Sequence, residues 1–450
     1  MSSHTMTDPV SLLQELVAHA RRAGADAADA ILVSGTSVGV QVRQGRKEEL
    51  ERSEHNDLGL RVFAGTRSAM VSATSADPNG FERLVEQALA MARVVPEDRF
   101  AGLCERAAQT FIDGEGLDLA DTAEPGIEAL TERAQQAEAA ALAVDGVTNS
   151  QGGSAGFGRS EIALVTSGGF SGRYARTSHS VSASVLAGSG TSMQRDYDYH
   201  SVVHLADLDD PESIGRHAGK QAVARMNPVK PRTGHMPVVY DPRVSNSLLG
   251  HLAGAINGAS VARGTSFLKE RMGTRILPSG IGVIDDPTRL RGLRSKPFDG
   301  EGVPTAPLVL VEDGELHSWV LDGRSARQLG LTSTGNASRG TSSPPSPSTS
   351  NLCLTGGIVS PSQLMADIVE GIYVTEMMGS AINGLTGDYS RGAAGFMIRN
   401  GALAEPIAEL TVAGNLIEMF ARLQPANDLA FRRGTDAPTI RIDHMMIAGA

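Results

Sequence analysis

The chain has 450 residues, 41% of them apolar and 20% charged, with a formal net charge of −11 at pH 7. That length exceeds one ordinary hydrophobic core and predicts two or three domains of a soluble globular protein. The negative balance excludes nucleic acid as the main ligand, because phosphate binding needs a basic field and no local basic cluster supplies one.

Cys104 and Cys353 are the two cysteines, too few for a disulfide framework or a cysteine-based zinc site. Met1 to Pro9 lacks the basic segment and apolar run of a secretory signal. No apolar run approaches the roughly 20 residues that cross a bilayer. The expected location is cytoplasmic, with no membrane partner.

Asp8-Pro9 opens a helical pattern, with Asp8 as N-cap and Val10, Leu13, Leu16 and Val17 at helical spacing. Strands are predicted at Ala30–Val33, Ser37–Arg43 and Glu48–Ser53, with glycine turns at Gly35 and Gly45, then a hairpin around Gly65. Phe81–Val94 reads as an amphipathic helix with Leu84, Ala88 and Met91 on one face. The first hundred residues are therefore an α+β unit with an antiparallel sheet. A second helix is expected from Ile127 to Val144, then three or four antiparallel strands over Val147–Leu186, then a helix from Asp209-Asp210-Pro211 to about Met226.

Pro228, Pro231 and Pro237 mark a stiff passage, and the main boundary is placed there: residues 1–227, a connector at 228–236, and a β-rich part at 237–450. Within the second part Val244–Val261 and Pro361–Gly371 are helix-compatible. Thr332–Asn351 has almost no apolar residues and reads either as a solvated linker or as an ordered loop lining a cleft.

Motifs that carry chemistry are scarce. None of the 11 histidines forms a His-Glu-x-x-His helix. His200 and His204 fall on one face if their segment is a strand, and Asp207, Asp209 and Asp210 follow, the composition of a surface metal site. His251 stands without a second histidine one turn away, and His444 adjoins Asp443. Cys353 sits in an apolar strand-like setting, where a buried inert thiol is the default. There is no nucleophile elbow and no phosphate-binding glycine fingerprint.

Longer stretches carry more. Leu50-Glu-Arg-Ser53, Asp57-Leu-Gly-Leu-Arg-Val-Phe63, Arg195-Asp-Tyr-Asp-Tyr199 and Leu205-Ala-Asp-Leu-Asp209 lie in the first half. Val239-Tyr-Asp-Pro242, Ser333-Thr-Gly-Asn-Ala337, Pro347-Ser-x-Ser-Asn-Leu352, Gly387-Asp-Tyr-Ser390, Ala394-Gly-Phe396, Val412-Ala-Gly-Asn-Leu416 and Ile440-Arg-Ile-Asp443 lie in the second. In order and spacing the chain resembles the TldD/PmbA family, and within it the PmbA (TldE) branch.

The resemblance implies an α+β fold with a β-rich C-terminal domain of the TldD/PmbA type. In the family, TldD-type subunits carry a His-Glu-x-x-x-His helix and a late cysteine as zinc ligands. Registered on Arg263-Gly-Thr-Ser266, that motif falls on Leu249 to Gly254, where Leu249 and Gly254 replace the histidines and Gly250 the glutamate. Residues 355 to 450 contain no cysteine. The resemblance thus implies a non-catalytic TldE-like subunit with no catalytic, metal or cofactor residue of its own, and zinc in a TldD-like partner. Unfolded peptide is the implied substrate of the pair, held by strand edges. Asn336, Ser350, Asn351, Asp388 and Tyr389 are the expected substrate-facing residues.

Cys353, His204 and His444-Met-Met446 depart from the branch pattern. They motivate an alternative, a pair that tailors a peptide or amide in specialised metabolism. A second alternative is a stand-alone peptide-binding homodimer.

Overall fold

The computed structural model describes residues 8–449, so the stretch Met1 to Thr7 that was read for a secretory signal lies outside the described residues. Asp8 caps α1 (Pro9–Arg22), its carboxylate accepting from Ser11 N at 3.0 Å. β1 (Ala27–Arg43), β2 (Arg46–Ala64) and β3 (Arg67–Ala73) then form an antiparallel meander that leads to α2 (Phe81–Val94). A short β4 (Phe111–Ile112) and α3 (Ile127–Leu142) precede β5 (Val147–Thr166), β6 (Ser171–Ala187), β7 (Gln194–Val202) and α4 (Pro211–Ala224). The resulting seven-stranded sheet runs β3-β2-β1-β5-β6-β4, with β7 also paired to β6.

Three expectations fail here for physical reasons. Gly35 is no turn but the middle of β1, where an added Cβ would meet Arg159 O on β5 at 2.6 Å; it marks a close strand approach. Gly45, at φ +74° after Gln44 at φ 51°, does make its turn. Val147–Leu186 forms two long strands, not three or four, reversed once at Gly168-Gly169. On α2 the buried stripe is Phe81, Leu84, Val85, Ala88, Leu89 and Ala92, while Met91 is exposed, because the helix turns a broader face to the sheet than three residues define.

The helices divide the sheet. α1 and α2 cover β1–β3 through Leu13, Leu16, Leu60, Val62 and Val85. α3 and α4 cover the far end of β5 and β6 through Ala137, Ala141, Val185 and Ala218. Each fully buried leucine contributes roughly 1.5–3 kcal/mol. The opposite face of β5–β7 is left uncovered by helices, with serine and glycine in alternate positions.

Val229 N donates to Pro406 O at 2.9 Å, so the proline-bearing passage is tied to the second half, and β8 (Gly234–Tyr240) begins within it. α5 (Pro242–Ala255) and α6 (Gly258–Ala262) follow. A continuous helix over Val244–Val261 is not formed: the chain breaks at Ile256, and Asn257 caps α6 by accepting from Ala259 N and Ser260 N. β9 (Val283–Asp285), β10 (Leu308–Glu312) and β11 (Glu315–Leu316) lead to α7 (Gly323–Leu329), β12 (Ala337–Ser338), β13 (Ser346–Pro347) and β14 (Leu352–Leu354). α8 (Pro361–Met365), β15 (Glu370–Ile382), β16 (Asp388–Arg399), β17 (Ala402–Asn415), α9 (Leu416–Ala421), β18 (Gln424–Pro425), β19 (Thr435–Asp436) and β20 (Ile440–Ala448) complete the chain. The expected helix over Pro361–Gly371 is thus only its first turn, because β15 takes over at Glu370.

β17, β16, β15, β8 and β20 pair in that order, and β17 pairs back to β20, so the sheet closes on itself. Closure removes free edges. Inside this ring and beneath α5 lies the largest apolar cluster, which includes Tyr240, Leu248, Leu249, Trp319, Tyr389 and Phe420.

Candidate functional site

The strongest local feature is the junction of α5 with the β15–β16 hairpin. Asp241 starts α5, accepting from Arg243 N at 2.8 Å and from Tyr373 OH at 2.8 Å. The stripe Val244, Leu248, Leu249, Leu252 and Ala255 is buried. One turn apart on the outer side, Gly250 and Gly254 are exposed, and an added Cβ would meet nothing within 4 Å at either.

Between these glycines His251 turns its ring edge-on to Tyr389, with centroids 6.0 Å apart at 70°. Burial and the nearby Arg391 charge push His251 down to about 4, so the imidazole is neutral at pH 7. Tyr389 and Tyr240 are buried with their hydroxyls facing each other, and burial pushes Tyr389 up to about 12.

The hairpin tip is built by side chains. Asn383 Oδ1 accepts from Leu385 N at 2.9 Å and Thr386 N at 3.3 Å. Asp388 accepts from Thr386 Oγ1 at 2.6 Å and from Asn415 Nδ2 at 3.2 Å, and these bonds hold its carboxyl below the usual range. A cleft of about 780 Å³ opens beside the tip, lined by Thr265, Ile382, Leu385, Asp388 and Tyr389 among others.

Of the five residues expected from the sequence, Asp388 and Tyr389 thus share one cleft. Asn336, Ser350 and Asn351 gather elsewhere, around Asp285 and Asp286. Asp285 is fully buried and accepts from Asn336 Nδ2 at 2.7 Å and from Ser350 N and Oγ at 2.7 and 3.0 Å. Asn351 Nδ2 donates to Asp286 O at 2.7 Å and to Ser295 Oγ at 2.8 Å. Burial raises the Asp285 carboxyl, opposed by the Ser350 and Asn336 bonds and the Lys296 charge. Tyr240 and Arg391 were not foreseen; the two-residue step from Tyr389 to Arg391 along a strand was the available signal.

The polar segment Thr332–Asn351 is ordered, so the solvated-linker reading does not hold. Arg339 is buried against Asp29 on β1, which also accepts from Arg61 Nε at 2.9 Å. Gly59 on β2 lets the loop approach, since a Cβ there would lie 2.2 Å from Thr341 O. Thr341 and Ser342 line a groove with β2, β3 and α2.

The other candidate groups are otherwise occupied. β7 ends at Val202, so His200 and His204 do not share a strand face: His200 Nδ1 accepts from Asp209 N at 3.1 Å, while His204 Nε2 lies 3.0 Å from Asp118 O. Asp443 pairs with Arg441 at 2.8 Å. Cys353 is a free buried thiol pushed up by burial. Among the described residues, no group of three or more His, Cys, Asp or Glu is arranged to hold a metal, and no helix is long and apolar enough to cross a membrane.

Three family models match the chain in tandem: PmbA/TldA metallopeptidase domain 1 at residues 28–92, the central domain at 120–226 and the C-terminal domain at 233–449. The chain belongs to the PmbA/TldD metallopeptidase family. It is 36% identical to the metalloprotease PmbA of Escherichia coli O157:H7 over 94% of this chain and 92% of that one. It is 34% identical to a PmbA homologue of Haemophilus influenzae over 96% and 94%. Among solved structures it is similar to a Bacteroides thetaiotaomicron protein, with TM-score 0.89 and 25% identity over 98% of both chains. TldE of Thermococcus kodakarensis shares the fold, with TM-score 0.83 and 20% identity over 97% of this chain and 100% of that one. The PmbA/TldD α+β architecture, with its β-rich C-terminal part, is therefore the architecture of this chain.

Proposed function

We propose that this chain is the non-catalytic, TldE-like subunit of a heteromeric zinc metalloprotease that processes unfolded peptides, with zinc and the catalytic base supplied by a TldD-like partner. The observation that carries this reading is the outer face of α5. Zinc hydrolysis needs about three protein ligands, an open position for water and a base. Leu249 points into the apolar core, and Gly250 and Gly254 present no side chain at all. His251 is one nitrogen ligand at most, and its ring packs on Tyr389. These residues do not fit a zinc centre.

What they fit is a recess into which another surface or a peptide backbone enters without steric conflict, beside a neutral imidazole and a rigid hairpin tip. In this reading Asp388 shapes the peptide path directly, and buried Tyr389 acts behind it by holding the His251 ring. Asn336, Ser350 and Asn351 act at one remove by holding the loop around Asp285. A homodimer in the absence of partner is compatible with the same exposed face.

The test is zinc content and peptidase activity of this chain alone and co-purified with a TldD-like protein. The lone chain is expected to be zinc-free and inert, and the pair to hold zinc and cleave unfolded peptide. Stoichiometric zinc or cleavage by the lone chain overturns the proposal.

A further inference from the structure

The segment Arg195-Asp-Tyr-Asp-Tyr199 has no role in the site above, yet β7 gives every residue of it a defined position. Alternation turns Asp196 and Asp198 to one face and Arg195, Tyr197 and Tyr199 to the other. The two aspartates seal the strand: Tyr197 N donates to Asp196 Oδ1 at 2.7 Å and Tyr199 N to Asp198 Oδ1 at 2.9 Å. Arginines fill the carbonyls, Arg225 Nη1 reaching Arg195 O at 3.3 Å and Arg243 Nη2 reaching Tyr197 O at 3.2 Å. An edge so occupied does not take up another strand. Only the face remains for binding.

On that face the rings of Tyr197 and Tyr199 stand 6.2 Å apart at 21°, each more than a third exposed. Arg243 lies 4.9 Å from the Tyr197 ring, and Arg433 donates to Tyr199 OH at 3.0 Å, so both rings are held rigid. They wall a groove of about 550 Å³ whose floor includes Ser154, Ser180, Ser182 and Ser184. Ser154 and Ser182 hydroxyls are 2.7 Å apart, and Ser184 donates to Gln151 at 2.9 Å. The groove lining includes the cation Arg195 and no carboxylate, in a chain of net charge −11. Two anions stand at its margin: Glu376 of β15, 3.7 Å from Arg195, and Glu48 of β2, which accepts from the lining residue Gln41 at 3.4 Å.

We infer that this face of β5–β6–β7, walled by Arg195, Tyr197 and Tyr199, holds an acidic peptide segment in extended form. Rows of hydroxyls at the strand spacing meet the alternating N–H and C=O groups of an extended chain without reading its side chains. The rings receive an apolar side chain, and Arg195 selects a carboxylate. The inference rests on the reading that the assembly handles unfolded peptide.

Fluorescence anisotropy on the full chain tests it, using a dansylated octapeptide with two glutamates and one phenylalanine, and its counterpart with lysines. Binding needs neither zinc nor partner, so its failure leaves the subunit reading intact, and inactivity of the pair leaves the groove intact. The glutamate peptide is expected to bind more tightly. The double change Tyr197→Ala/Tyr199→Ala should weaken it about tenfold, and Arg195→Glu should reverse the preference between the two peptides. Ser182→Leu, which fills the floor with the rings in place, should weaken both peptides and guards against misfolding of the ring variant. Equal binding by wild type and all variants overturns the inference, as does no binding by the wild type at millimolar peptide. Loss of binding when a TldD-like subunit assembles also overturns it, because the face is then a subunit interface.

Discussion

Asn336 and Asp388 were both read from the sequence as substrate-facing, and the structure separates what each does. Asn336 is 3% exposed and spends its amide on Asp285, so Asn336→Ala leaves a buried carboxylate oxygen short of a donor. A loss of about 1–3 kcal/mol follows, measurable as a shift of the urea midpoint of the lone chain. Asp388 is exposed and fastens Thr386 and Asn415. Asp388→Ala is expected to leave the midpoint nearly unchanged and to slow peptide cleavage by the reconstituted pair about tenfold, since small displacements of a positioning group carry costs of that order.

Glu301 offers a pH test at the same scale. It is 3% exposed, accepts from Gly323 N at 2.7 Å, and burial pushes its carboxyl up to about 7, with Arg61 opposing and Asp299 and Asp322 adding. Its folded value thus lies above its unfolded value near 4.5. The stability it contributes is present in full below pH 4.5 and is lost as pH rises toward 7, because the unfolded chain releases the proton first. Denaturation at pH 5 and pH 7 should show a fall that Glu301→Gln reduces.

At the scale of elements, glycine means different things in different places. Gly250 and Gly254 sit in a helix with open space around them, so Gly250→Ala should stabilise the lone chain by about 0.5–1 kcal/mol by restricting the unfolded state. The thermal midpoint of the lone chain reads this. If the partner packs on that face, the same change should weaken co-purification of the pair. Gly59 is the opposite case, because Thr341 O occupies the space a methyl group would need. Gly59→Ala should cost roughly 1–3 kcal/mol and make the 339–343 loop accessible to limited proteolysis.

Several elements were legible from sequence because their signals are local. An Asp-Pro start placed α1 and α4, and apolar spacing placed α2 to the residue. The strand breaks at Gly35 and within Val147–Leu186 were misread because glycine there answers to a neighbouring strand, not to its own turn.

For the whole molecule, the first sheet and the second half are joined by buried charge. Arg339 reaches from the polar segment to Asp29 on β1, beside Arg61 from β2. Burial alone would raise Asp29, but the Arg339 and Arg61 charges outweigh it and hold the carboxyl low. Arg324 pairs with Asp98 and Arg291 with Asp118 and Asp207 across the same junction. The exposed pairs contribute little each, about 0–1 kcal/mol. Arg339→Met should cost about 3–5 kcal/mol, since it strips a buried carboxylate of one of its two cations. A urea series on the lone chain measures it.

The sequence by itself determined composition class, helix starts, the absence of donor side chains at Leu249, Gly250 and Gly254, and the family resemblance. All of these reside in residue identity and short-range order. Only the tertiary structure decided that Thr332–Asn351 is ordered, that His200 and His204 serve separate partners, and that Asn336 and Ser350 meet at Asp285 while Tyr389 packs on His251 of α5 and Asp388 fastens the hairpin tip. It also decided that the Tyr197–Tyr199 pair faces an open groove. Those outcomes depend on which distant groups desolvate one another: a polar segment with almost no apolar residues folds when buried Asp29 and Asp285 supply its partners, and no window of sequence contains that information.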